Sequence, residues 1–148
     1  KELLFKRETP AVLTPHLGEF SRLAGKDFRF ISDETIEALS KFSEQIKSIV
    51  VLKGANTFIS LPDKSLYIHS GPNSALARAG SGDVLAGTLG GMLARGKESP
   101  VDSILTGVYV HSLAGNFALE RRNERTISSS VILDYFSEAY SYLESLDT

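Results

Sequence analysis

The sequence predicts an α/β domain built around a buried parallel strand, and three observations carry that prediction. A continuous β-branched run, Ser48-Ile49-Val50-Val51-Leu52, suits a central parallel strand covered on both faces. Apolar residues at helical spacing stand on either side of it. Two short strand-like runs flank Pro62-Asp63-Lys64 and add one β-hairpin to the strand–helix alternation.

The elements follow in order. Ala11-Val12-Leu13 is a short buried strand ending at Thr14-Pro15. A helix over 17–24 is stopped by Gly25. Ser32 is an N-cap for the next helix, whose Ile36, Leu39, Phe42 and Ile46 share one face. The buried run ends at Lys53-Gly54, and the hairpin strands are 57–60 and 65–69. A loop over 70–82 leads to a small-residue helix over 83–94, closed by Gly96. Ala86, Gly87, Gly90 and Gly91 would let that helix pack closely against a neighbour. Pro100 opens a long helix that runs to about Glu120. One amphipathic helix over 130–146 closes the chain, with Val131, Tyr135, Ala139 and Tyr142 near one face.

Composition bounds the function classes. With 148 residues, one domain over 1–148 is the expectation. Net charge is −2, which offers no basic surface for nucleic acid, so an anionic ligand needs a local device. The apolar runs are too short for a membrane span, and the start at 1–5 is too brief and too charged for a signal peptide. The sequence has 0 cysteines, so a thiolate metal site and a disulfide scaffold are both excluded, in keeping with a cytoplasmic protein.

The local device is Ala79-Gly80-Ser81-Gly82-Asp83-Val84-Leu85-Ala86-Gly87. Gly80 and Gly82 allow a tight turn, and the helix behind them offers free amides and the positive end of its dipole. Gly80, Ser81 and Gly82 are therefore candidate phosphate-binding residues. Asp83 at the mouth of such an anion hole can take a proton from a substrate hydroxyl. Taken alone it reads better as an acidic first-turn residue complementing the dipole, because Gly-Ser-Gly-Asp is short and occurs by chance. Lys53, Gly54, Ala55, Asn56 and Thr57 follow the buried strand at its carboxyl end, where open α/β sheets place ligands. Lys53 would bring charge, Gly54 close backbone approach and Thr57 a hydroxyl. Alternatively Lys53 snorkels to solvent.

Taken together, four stretches resemble the ADP/ATP-dependent NAD(P)H-hydrate dehydratase family. They are Thr14-Pro15-His16-Leu17-Gly18-Glu19-Phe20, Val50 to Thr57, Gly71 to Gly87, and Gly107-Val108-Tyr109-Val110-His111-Ser112-Leu113-Ala114-Gly115. They keep the family's order and span most of the chain. The resemblance implies a ribokinase-like, three-layer α/β/α fold with a mainly parallel central sheet and a hairpin. It implies that the S-epimer of hydrated NADH or NADPH is returned to NAD(P)H, with ADP or ATP as phosphoryl donor and Mg2+ accompanying it. Asp83 falls on the family's substrate-binding, base-like aspartate, and Gly82 on the glycine that contacts the nucleotide. Lys53 to Thr57 fall on a nucleotide-binding segment. His16 falls on the histidine that contacts the substrate, as a hydrogen-bond donor. Leu17 replaces the family's usual proline. A homo-oligomer is also implied.

Other chemistry-bearing residues read more plainly. Glu19 positions the loop or caps a helix, and His69 and His111 are structural. Arg78 either reaches a phosphate or lies solvated, and Tyr135, Tyr140 and Tyr142 serve packing or subunit contact. No protein metal cage is legible, and magnesium often needs none. The matches cover the second half of the family's catalytic domain, so the expectation is a partial domain whose N-terminal half lies elsewhere. Two other functions use the same residues: a ribokinase-like kinase of a sugar or vitamin alcohol, and a non-catalytic nucleotide-binding module.

Overall fold

The computed structural model describes Leu4, Arg7 and residues 9–146, so most of the 1–5 run lies outside the described residues. The chain divides into two compact units, Lys1–Ser70 and Gly71–Thr148.

The first unit contains β1 (Val12–Leu13), α1 (Leu17–Ala24), α2 (Asp33–Ile46), β2 (Ile49–Leu52), β3 (Asn56–Ser60) and β4 (Leu66–Ser70). Gly25 ends α1 in the left-handed region at φ 74°, a conformation open to glycine without a Cβ penalty. Ser32 caps α2 with its hydroxyl on the Thr35 amide. Phe20 stacks on Phe28 with ring centroids 5.6 Å apart and meets Phe42 edge-on at 5.7 Å. These rings join Leu39, Ile46, Val50, Leu52 and Phe58 in one core. All four residues of β2 are buried, as a strand covered on both faces must be.

The sheet order is β1-β2-β3-β4, and only the β1–β2 pairing is parallel. The β2–β3 and β3–β4 pairings are antiparallel. The expectation of a mainly parallel sheet is therefore corrected among the described strands. The reason is connection length. Lys53-Gly54-Ala55 is all that joins β2 to β3, and a parallel crossover takes a dozen residues or more. The hairpin itself stands where expected, with Lys64 at φ 73° in its turn.

The second unit is helical: α3 (Ser81–Arg95), α4 (Pro100–Arg121), α5 (Ser129–Asp134) and α6 (Phe136–Leu146). A short 3-10 turn, Ser74–Leu76, interrupts the 70–82 loop, and α3 begins two residues before the expected Asp83. Pro100 occupies the first turn of α4 behind the N-cap Ser99. Ala75, Val110, Ala114, Ala118, Ile127, Ile132 and Ala139 form the core of this unit.

Two expectations change here. The closing segment is two helices, broken at Tyr135, whose amide folds back on the Ile132 and Leu133 carbonyls. Tyr142 lies outside the buried set and meets Phe117 edge-on. The close helix contact is made by Gly107 of α4, whose Cβ would lie 2.6 Å from Leu89 and 3.1 Å from Met92. Ala86, Gly87, Gly90 and Gly91 are instead exposed. Their face is the one opposite the buried Leu85, Leu89 and Met92.

Candidate functional site

In the first unit, His16 and Lys53 meet at the carboxyl edge of the parallel pair. They form a parallel bridge, with the Lys53 amide donating to the Pro15 carbonyl at 2.8 Å. His16 is also the N-cap of α1. Its Nδ1 accepts from the Glu19 amide at 3.2 Å, and the Glu19 carboxylate accepts from the His16 amide at 2.8 Å. This is a capping box with an imidazole in place of the usual hydroxyl. Gly18 makes it possible, because a Cβ there would sit 3.2 Å from the His16 ring.

The cap has a chemical consequence. An accepting Nδ1 puts the proton of a neutral imidazole on Nε2. Nε2 lies 3.6 Å from Glu19 Oε1, beyond hydrogen-bond reach, and the side chain is 57% exposed. The ring therefore presents a donor to solvent. The bond from the His16 amide holds the Glu19 carboxyl below the ordinary glutamate range; burial opposes this and the nearby Lys53 and Arg22 charges assist. Glu19 does cap a helix, as its position implied.

After Lys53, the chain turns through exposed Gly54 and Ala55 into β3. A Cβ on Gly54 would lie 3.0 Å from Ile31 and 3.1 Å from the Asn56 carbonyl, so the turn is tight for a glycine reason. Asn56 Oδ1 accepts from the Ser70 hydroxyl at 3.4 Å, and Thr57 stands opposite His69 in the ladder. Burial lowers the His69 pKa below the ordinary imidazole value, in keeping with a structural residue.

In the second unit, Gly80 is the N-cap of α3 at φ 85°, with a Cβ position 2.8 Å from Ser129 Oγ. Both facts require glycine. Ser81 is buried. Its hydroxyl donates to the Leu76 carbonyl and its amide to the Arg78 carbonyl at 3.2 Å, while its own carbonyl faces His111 Nε2 at 3.1 Å. The Asp83 amide bonds the Gly80 carbonyl at 3.1 Å. Gly82 lies between them in the first turn, where helix amides lack intrahelical partners.

Asp83 is exposed, and among the described residues its carboxylate has no hydrogen-bond or ion-pair partner. It stands in a groove of about 740 Å³ along α3. Gly80, Gly87, Thr88 and Gly91 line that groove from α3 and its N-cap, and Leu133, Phe136 and Tyr140 line it from α5 and α6. Leu133 and Phe136 were not among the residues the sequence pointed to, and Tyr140 was expected only to pack or meet another subunit. The signal for the groove was the run Asp83, Gly87, Gly91, Arg95 at every fourth position, which lines one side of a helix. Arg78 is tied to Glu124, with Nη2 on its carbonyl at 2.8 Å and 3.8 Å from its carboxylate, so it is a structural pin. No group of three or more His, Cys, Asp or Glu that could hold a metal exists among the described residues. None of the helices there is long and apolar enough to cross a membrane.

Comparisons with known proteins set these features in context. A family model described as NAD(P)H-hydrate dehydratase matches residues 1–137. The chain is 38% identical over 138 residues to the bifunctional NAD(P)H-hydrate repair enzyme Nnr of Thermofilum pendens, covering 93% of this chain and 26% of that protein. It is similar to the crystal structure of the ADP/ATP-dependent NAD(P)H-hydrate dehydratase from Bacillus subtilis co-crystallised with ATP/Mg2+. That match has a TM-score of 0.83 at 31% identity, over 93% of this chain and 49% of that one. Arabidopsis thaliana ribokinase, at 17% identity and a TM-score of 0.56 over 91% of this chain and 42% of that one, shares the ribokinase-like α/β fold alone. The chain thus spans from about a quarter to about half the length of these proteins.

Proposed function

The chain belongs to the NAD(P)H-hydrate dehydratase family, and from that premise we propose that it is the nucleotide-binding and catalytic half of such an enzyme. The chain is one partial domain over 1–148 of a ribokinase-like α/β enzyme, completed by the other half. The substrate is the S-epimer of hydrated NADH or NADPH, and the phosphoryl donor is ADP or ATP. The observation that carries the reading is Asp83: a carboxylate without a partner among the described residues, three residues past a positive-φ glycine, lining a groove.

The chemistry assigned to each residue follows. Asp83 orients the substrate hydroxyl and takes its proton as the oxygen attacks the terminal phosphorus of the nucleotide and the bridging P–O bond breaks, releasing AMP from ADP or ADP from ATP. Gly80 and Gly82 provide backbone amides toward the transferring phosphoryl group, and Ser81, whose hydroxyl and amide are both bonded within the chain, contributes by fixing the turn. Loss of phosphate with a proton from the adjacent carbon then restores the ring double bond. In the first unit, Lys53, Gly54, Ala55, Asn56 and Thr57 bind the nucleotide, and His16 donates from Nε2 to the hydrated nicotinamide. The donor set here fits magnesium only as a companion of the nucleotide phosphates, since no protein cage exists among the described residues. When bound, the ion would neutralise phosphate charge. We place the enzyme in the cytoplasm as a homo-oligomer.

The test is a coupled assay on the chain, alone and with the complementary half of a relative's domain added. S-NADPH hydrate, magnesium and ADP or ATP are mixed, and reduced-nicotinamide absorbance and phosphate release are followed. Recovery of both signals with one nucleotide supports the dehydratase and identifies its donor. Phosphorylated product without phosphate release would make the protein a kinase. Nucleotide binding with neither signal in the completed protein would make it a binding module.

A further inference from the structure

The segment His111-Ser112-Leu113-Ala114-Gly115-Asn116 has no part in the function just proposed, yet it touches both ends of the loop that carries it. At the far end, buried His111 points Nε2 at the Ser81 carbonyl, 3.1 Å away. A carbonyl only accepts, so Nε2 carries the proton. At the near end, Asn73 Nδ2 donates to the Ser112 carbonyl at 3.2 Å and to Asn116 Oδ1 at 2.7 Å, while its Oδ1 accepts from the Ala75 amide at 2.9 Å. Gly115 makes room for this, because a Cβ there would lie 2.7 Å from Asn73 Nδ2 and 2.9 Å from Leu76.

We propose that this stretch of α4 is the template on which the Gly80–Asp83 turn is set, with His111 and Asn116 as positioning residues. Residues 73 to 81 are clamped at both ends to one rigid helix. The Ser81 hydroxyl ties the middle by holding the Leu76 carbonyl. Asp83 follows two residues after the second clamp, so its direction and that of the Gly82 amide depend on it. The inference takes its functional meaning from the dehydratase reading, but the clamp itself is testable without it.

Amide hydrogen exchange along α3 is the measurement, on the full chain and four variants. His111→Leu removes the far clamp and Asn116→Leu removes one of the two Asn73 bonds at the near one, the bond to the Ser112 carbonyl remaining; His111→Gln keeps a donor near the Nε2 position and Asn116→Asp keeps an acceptor. In His111→Leu the amides of 83–85 should exchange about tenfold faster, the scale of one lost buried hydrogen bond, and in Asn116→Leu the same amides should be faster by a smaller factor, because the lost bond is exposed. Those of 89–94 should not change, and the Gln and Asp variants should behave as the parent chain. Asn116 is exposed, so its variants stay folded even if His111→Leu does not. Parental exchange at 83–85 in the Leu variants overturns the proposal, and so does faster exchange spread evenly along α3. ADP titration of the parent chain is read separately. No binding there counts against the dehydratase reading alone; binding weakened about tenfold in His111→Leu, by less in Asn116→Leu, and restored by Gln and Asp supports the positioning role.

Discussion

The two units build their functional edges in opposite ways. In the first, every member of the His16–Glu19 motif serves the fold. His16 caps α1, Glu19 returns the bond, and Gly18 clears space for the ring. In the second, glycines and a buried serine shape the backbone, and Asp83 is left without a partner among the described residues. A motif residue that holds a helix together can be retained for stability alone. A charged residue without a side-chain partner is open to a ligand. The structure therefore gives His16 a role in the fold and leaves Asp83 only its place in the first turn of α3, although both sit in equally recognisable motifs.

Substitutions can break or sharpen that contrast. The largest effect belongs to Asp83→Ala, which should lower turnover of the completed enzyme by about two orders of magnitude or more, as loss of a general base does. Its stability should fall by no more than about 1 kcal/mol, the scale of an acidic first-turn residue on the helix dipole. Turnover near the parent value would end the role assigned to Asp83. Gly80→Ala comes next. It forces a side chain to φ 85° and sets Cβ against Ser129 Oγ, so urea unfolding should report a loss of about 1–3 kcal/mol.

His16→Ser separates the capping role of this residue from its substrate contact. Serine is a good N-cap, so stability should stay within about 0.5 kcal/mol, whereas His16→Ala should lose about 1 kcal/mol. Substrate affinity should fall in both. Unchanged KM for the hydrate in His16→Ser would reduce the motif to a cap. The smallest effect is a pH dependence. The folded-state pKa of Glu19 is lowered, so its contribution is fully present above the ordinary glutamate value of 4.5 and is lost as pH falls through the lowered one. Exchange protection of α1 should decline over that acid window, and Glu19→Gln should remove the dependence.

Much of the fold was legible because its signals are local. Gly25 and Ser32 mark helix ends by their own chemistry, and the Ile49–Leu52 run declares its burial by composition. What escaped was set by tertiary packing or by connection length. The break at Tyr135 has no glycine or proline beside it. The antiparallel β2–β3 pairing is dictated by a three-residue connection, a length rather than a residue type. At the site, the Gly80–Asp83 turn was readable from residue types. Its groove was not, because Leu133, Phe136 and Tyr140 come from helices about fifty residues further along the chain.

Gly90 lies in the middle of α3, is exposed, does not line the groove, and has nothing within 4 Å of where a methyl group would go. An interior helical glycine costs about 1 kcal/mol relative to alanine. The chain thus runs one of its principal helices below the stability its length permits, at a position free to change. For a laboratory that needs the protein as a durable reagent, Gly90→Ala is the first substitution to make. It should raise melting temperature and shelf life while leaving the turn at Asp83 as it is.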